Sequence, residues 1–250
     1  MIRLYKGLNI GDSREMISIV GAGGKTSTMF LLGKMGKSKG LRVLITTTTK
    51  IYYPRDNSID NIYILDRDAL DLQKLKKRSI SVIGKEISQN GKLLGVNPEV
   101  LDEIYRKRYF DLILVEADGS KNKSIKAPGE HEPVIPLNTT KTIGLIGLDS
   151  LGFKIYEENV YRSEIFANIT GSKLGESINL QTIKNLVLSS RGLFKGVPDK
   201  SEKYLIFNKA DNKNIREKGR KIARDIMEKS NHIDDIILAS FHNNFIEKVK

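Results

Sequence analysis

The chain of 250 residues contains no cysteine. That absence excludes disulfides, thiolate metal sites, cysteine nucleophiles and any transfer of sulfur or selenium on a thiol of this chain. Histidine is scarce, at three residues, and no His/Asp/Glu spacing suggests a metal site built from protein ligands alone. No apolar run approaches the roughly 20 residues of a membrane-spanning helix. Met1 to Arg14 also lacks the apolar stretch of a signal peptide. A cytoplasmic protein without a membrane partner is expected. There is no internal repeat and no low-complexity tract.

Charge is abundant but not patterned. The formal net charge is +12, yet the basic residues are scattered in short clusters such as 74–78. Such a charge fits attraction to phosphates or an acidic partner, or a lysine-rich background. It does not by itself make nucleic acid an expected partner.

The first clear element is the apolar strand at 16–20, suited to a buried parallel sheet. A glycine turn follows, Gly21-Ala22-Gly23-Gly24-Lys25-Thr26-Ser27, and then a helix over 26–39 that Gly40 stops. A second strand covers 41–46. Strand, glycine turn, helix and strand in this order form the context of a phosphate-binding P-loop. Its backbone amides approach phosphate oxygens at a helix N-terminus. Gly21, Gly23, Gly24, Lys25, Thr26 and Ser27 are therefore expected to bind nucleotide, with Lys25 on the outer phosphates and Thr26 on Mg²⁺. The usual first glycine, six residues before the lysine, is replaced by Ile19. The turn is the shorter G-x-G-G-K-T form and resembles the loop of Mur-type ligases.

Later elements continue the alternation. Strands are expected at 62–65, 111–115, 142–146, 204–207 and 236–238, and helices at 97–108, 162–168, 179–189 and 213–230. Asn90-Gly91 within 80–96 predicts a hairpin inserted into the main sheet. The segment 119–138 holds three of the six prolines and reads as a long functional loop. The expected fold is one domain over 1–250: a doubly wound, mostly parallel α/β sheet of the P-loop NTPase type.

Strand 111–115 ends in Glu116-Ala117-Asp118-Gly119. An acid there holds Mg²⁺ or orients the attacking water in P-loop proteins. Glu116 is the first choice and Asp118 the second, since Asp118 also suits a turn cap. Thr46 to Thr49 and Lys50 close the second strand, so Thr47 and Thr48 are candidates for nucleotide binding, although threonine also favours strands for its own sake. Asn208-Lys209-Ala210-Asp211 follows the strand at 204–207. That string is a guanine-reading signature: a carboxylate can accept two hydrogen bonds from guanine N1 and N2, and adenine offers no such donor pair. Asp211 could equally cap the next helix. GTP is favoured slightly over ATP. The string 149–152 also looks GTPase-like but is set aside, because 116–119 already fills the metal position.

The strings 20–27, 46–51 and 115–120, together with 126–136 (Lys-Ala-Pro-Gly-Glu-His-Glu-Pro-Val-Ile-Pro) and 192–198 (Gly-Leu-Phe-Lys-Gly-Val-Pro), resemble the YqeC-type proteins, known as selenium-dependent hydroxylase accessory proteins. The resemblance implies a role in maturing selenium-dependent molybdenum hydroxylases, with a molybdopterin cofactor and such a hydroxylase as partners. The proline loop is expected to bring Lys121, Lys123 and Lys126 near the outer phosphate and to hold His131 and Glu132 over the site. His131 is then a catalytic proton shuttle or a contact to an anionic pterin phosphate, or a structural histidine. A carrier that holds a cofactor phosphate without catalysis is the alternative function.

Overall fold

The computed structural model describes residues 2–11, 13–68 and 72–249. In chain order the elements are α1 (Ile2–Gly7), β1 (Glu15–Gly21), α2 (Lys25–Ser38), β2 (Arg42–Thr47), β3 (Lys50–Tyr52), β4 (Asn61–Ile64), β5 (Ser79–Gly84) and β6 (Lys92–Leu94). There follow α3 (Pro98–Arg106), β7 (Leu112–Glu116), β8 (Ile125–Lys126), β9 (Lys141–Gly147), β10 (Val160–Tyr161), α4 (Ser163–Thr170) and α5 (Leu180–Leu188). The chain closes with β11 (Glu202–Asn208), α6 (Lys213–Met227), β12 (Asp235–Ser240) and β13 (Phe245–Lys248).

Among the described residues, nine strands form one sheet in the order β13-β12-β11-β9-β1-β7-β2-β5-β4. Eight of them are parallel, and β13 alone runs antiparallel, against β12. The apolar runs of β1, β7 and β9 are buried from end to end, which a parallel sheet covered on both faces requires. Alternation along β1 divides the core. Ile17 and Ile19 pack with Leu4 and Leu8 near α1 and with Met29 and Leu32 of α2. Met16 faces the other way, toward Leu101 and Ile104 of α3. Val20 packs with Phe166, Ile183 and Ile222, from α4, α5 and α6.

The chain builds first to one side of β1, through β2, β5 and β7, and then crosses to the other side for β9, β11 and β12. Ligands in open α/β sheets bind at such a reversal, outside the carboxyl ends of the strands. The ends of β1, β2, β7, β9, β11 and β12 therefore share one edge.

Several local expectations meet their elements. Gly40, with φ 93, ends α2, and Asn179 closes a capping box on α5 with Thr182. Asn97 sits at the cap of α3 but its side chain accepts no hydrogen bond there. The hairpin expected over 80–96 needs correction. Its first arm, β5, is a parallel strand inside the main sheet, while β6 pairs antiparallel with β3 in a separate two-stranded sheet. Asn90-Gly91 does turn the chain, but only between the short arms around Ile87 and Leu93. The loop 119–138 also carries β8, which pairs with the distant β10.

Candidate functional site

The glycine turn joins β1 to α2. A side chain at Gly23 would meet the Gly147 amide nitrogen at 2.4 Å, and Gly24 has φ 123, beside Asn208. Among the described residues no side chain caps α2, so its first-turn amides have no side-chain acceptor. Lys25 is buried and folds back, donating to the Gly21 carbonyl at 2.7 Å. Its Nζ lies 3.1 Å from Asp118 Oδ1 and 3.8 Å from Glu116 Oε1. Thr26 donates its hydroxyl hydrogen to Glu116 Oε2 at 2.7 Å.

Glu116 and Asp118 leave the end of β7 toward the turn and take different tasks. Burial raises the Glu116 carboxyl above its ordinary range against the pull of Lys25. Asp118 accepts from the Gly21 amide at 3.0 Å and from Lys126 at 2.9 Å. Lys126 also donates to Glu132 at 2.8 Å, and Glu132 receives Arg162 at 2.5 Å. Burial pushes Glu132 up, but the hydrogen bonds from Arg162 and Lys126 outweigh it and hold the carboxyl at about 2. The result is a chain of alternating charges, Lys25, Asp118, Lys126, Glu132 and Arg162, from the glycine turn to the start of α4.

A cavity of about 740 Å³ opens over the turn. Six lysines line it, among them Lys25, Lys50, Lys92 and Lys121, against two carboxylates, Glu116 and Glu132. That imbalance favours a polyanion. Among the described residues no group of three or more His, Asp or Glu side chains could hold a metal. The Thr26 hydroxyl and the Glu116 carboxylate instead offer two hard oxygen donors. Mg²⁺ accepts so few protein ligands when phosphates and water complete its shell.

At the other end of the sheet edge, Asn208 donates to the Gly23 carbonyl at 2.8 Å. Its Oδ1 is buried and unpaired among the described residues. Lys209, with φ 59, donates to Asp149 Oδ2 at 2.8 Å and to Ser124 Oγ at 2.7 Å. Asp149, which belongs to the string set aside in the sequence, is thus a partner of Lys209. Asp211 does not cap α6, because Asn212 does so by accepting from Ile215. Asp211 instead receives the Ser240 hydroxyl from the end of β12.

Most of the residues singled out in the sequence gather at this edge, with two exceptions. The hydroxyls of Thr47 and Thr48 are spent on the carbonyls of Glu116 and Val134, and only Thr48 reaches the cavity wall. His131 does not stand over the site: its side chain is 93% exposed, and Glu132 is the residue turned inward. The bonds from Lys126 and Arg162 fix Glu132, and nothing comparable holds His131. Arg162, Tyr161 and Lys92 were not legible as site residues, because they reach it through β10 and β6, pairings that leave no local signal.

The YqeC protein family model matches residues 17–164. A relative from Escherichia coli (strain K12), described as uncharacterized protein YqeC, is 37% identical over 194 residues, covering 78% of this chain and 75% of the relative. No solved structure matches the chain. The stretch that the family model matches holds the glycine turn, Glu116, Asp118 and the proline loop, and on these grounds the chain belongs to the YqeC family.

Proposed function

We propose that this chain is a Mg²⁺-dependent nucleotide-binding protein of the P-loop type, with GTP favoured over ATP. We further propose that it serves in the maturation of selenium-dependent molybdenum hydroxylases, hydrolysing the nucleotide or using it to modify or insert a molybdopterin cofactor. The observation that carries the nucleotide reading is the 2.7 Å hydrogen bond from Thr26 to Glu116, with Lys25 beside it at the head of α2. A hydroxyl and a carboxylate in contact next to unclaimed helix amides are the protein half of a metal–phosphate site. Mg²⁺ held there would neutralise charge on the outer phosphates. Lys25 would exchange the Gly21 carbonyl for phosphate oxygen. The preference for guanine rests on Asp211, held by Ser240 and free of helix capping. The hydroxylase role rests on the family resemblance.

Equilibrium binding of labelled GTP and ATP, with and without Mg²⁺, tests the nucleotide reading on the intact chain and on Lys25→Ala. Metal-dependent binding that Lys25→Ala abolishes supports it. Undiminished affinity in Lys25→Ala removes the phosphate role of the turn. Purification with a bound pterin and no nucleotide turnover would favour a carrier that grips a cofactor phosphate.

A further inference from the structure

We infer that the part of the cavity beyond Glu116, walled by Lys50, Lys92, Lys121, Tyr52 and Tyr161, binds a second ligand, a small organic oxyanion, facing the outer phosphate of the nucleotide. The inference rests on the nucleotide reading above and names what that reading leaves open.

Topology sets the order of the parts. Strands lie about 4.8 Å apart, so β11 stands roughly 10 Å to one side of β1 and β2 roughly 10 Å to the other. A nucleotide whose base lies at Asp211, after β11, and whose phosphates lie on the turn after β1 runs along the sheet edge toward β7. Lys50 and Tyr52 follow β2, and Lys92 is brought beside them by the β3–β6 pairing. This bay therefore begins where the triphosphate ends.

Its chemistry selects an anion. Lys50 and Lys92 have no carboxylate partner among the described residues, and Lys121 feels the Glu157 carboxylate without an ion-pair contact to it, although all three lysines line one cavity. Lys92 lies over the Tyr52 ring at 5.0 Å and Lys121 over the Tyr161 ring at 4.8 Å. The Lys92 ammonium is thereby steered by an aromatic face without being neutralised, and Lys121 is steered by its ring as well as by Glu157. Lys121 and Asn122 both have positive φ, 45 and 60, in the turn that the Lys123 amide closes onto the Ser120 carbonyl. Two such residues in a row are strained, and strain of this kind gathers at functional sites. The two carboxylates of the wall are both engaged, Glu116 by Thr26 and Glu132 by Lys126 and Arg162. The bay offers no free base and suits a ligand that arrives already deprotonated, as a carboxylate or phosphate does. The exposed Tyr52 ring supplies contact for its carbon skeleton.

Pyridoxal 5′-phosphate is a suitable probe, since it is a planar anion whose aldehyde borohydride fixes to lysine. The intact chain is labelled in the presence of Mg²⁺ and a non-hydrolysable GTP analogue, and the modified lysines are read by peptide mass spectrometry. The expected result is labelling at Lys50, Lys92 or Lys121 about tenfold faster than at Lys218 on the exposed side of α6, the scale of one added charge-assisted contact. Excess inorganic phosphate or citrate should suppress it, and the better competitor identifies the phosphate or carboxylate class. Tyr52→Ala should lose the selectivity while keeping its affinity for the analogue. Labelling no faster than at Lys218 overturns the inference, as does protection of these lysines by the analogue alone. Binding of the analogue is measured in parallel. Its absence removes the nucleotide reading, whereas its presence without selective labelling removes only the second ligand.

Discussion

Ser240 donates its hydroxyl hydrogen to Asp211 Oδ1 across 2.5 Å, from the end of β12 to the turn after β11. The bond fixes one carboxylate oxygen and leaves Oδ2 without a hydrogen bond among the described residues. Asp211→Asn replaces an acceptor with a donor at this position, so affinity for GTP should fall about tenfold or more while affinity for ATP changes little. Ser240→Ala should cost GTP affinity only a few-fold, because the carboxylate remains but is less well oriented. Competitive titration of the two nucleotides against each variant measures both. An unchanged GTP-to-ATP ratio in Asp211→Asn would remove the guanine preference.

Lys126 is the hub of the buried charges, being 2% exposed and bonded to Asp118 and Glu132. Lys126→Met keeps the length of the side chain and removes the charge. Buried Asp118 and half-buried Glu132 then lose a shared cation, and breaking the buried Lys126–Asp118 pair in this way costs about 3–5 kcal/mol. Urea unfolding should show a correspondingly lower midpoint. Adding Asp118→Asn should recover part of the loss, since one uncompensated charge disappears.

Glu132 gives a pH signature. Its carboxyl is held at about 2 in the folded chain against an ordinary value of 4.5. The stabilisation from this lowered value is complete above pH 4.5, declines as the pH falls, and is gone below about pH 2. The stability difference between the intact chain and Glu132→Gln should therefore shrink across that window, followed by denaturant titration at each pH. A difference independent of pH would show that Arg162 and Lys126 do not hold the carboxylate.

Glu116 has the opposite sign. Its pKa is raised by burial, so the ionised form is disfavoured in the folded chain and the associated stability is lost as the pH rises through the folded value. At neutral pH, Glu116→Gln should raise the melting temperature of the ligand-free protein, read by thermal unfolding beside the intact chain. The same substitution should abolish the Mg²⁺ dependence of nucleotide binding. A gain in stability on losing Glu116 would mark a carboxylate kept at a cost to the fold.

Local signals in the sequence were enough for the centre of the molecule. The buried strand β1, the glycine turn and α2 are specified by residues within one or two turns of each other, and so are the capping box at Asn179 and the acids after β7. What stayed hidden depends on pairing at a distance. Asn90-Gly91 marks a turn but cannot say that β5 joins β2 in parallel while β6 joins β3. The edge strand β13 reads Phe-Ile-Glu-Lys, too short and too polar at its end for the pattern to show. In the proline loop the sequence does not tell which of His131 and Glu132 turns inward. That is decided by Arg162, thirty residues on in the chain.

Asp118 faces two lysines, Lys25 as an ion pair 3.1 Å from Oδ1 and Lys126 hydrogen-bonded to Oδ2. One belongs to the glycine turn and the other to the strand behind it. Were a phosphate to draw Lys25 away as proposed, Lys126 would stay, and the deep carboxylate would keep a counter-ion. Asp118 thus has one cation on the glycine turn and one on β8, so the loss of the first need not leave it bare.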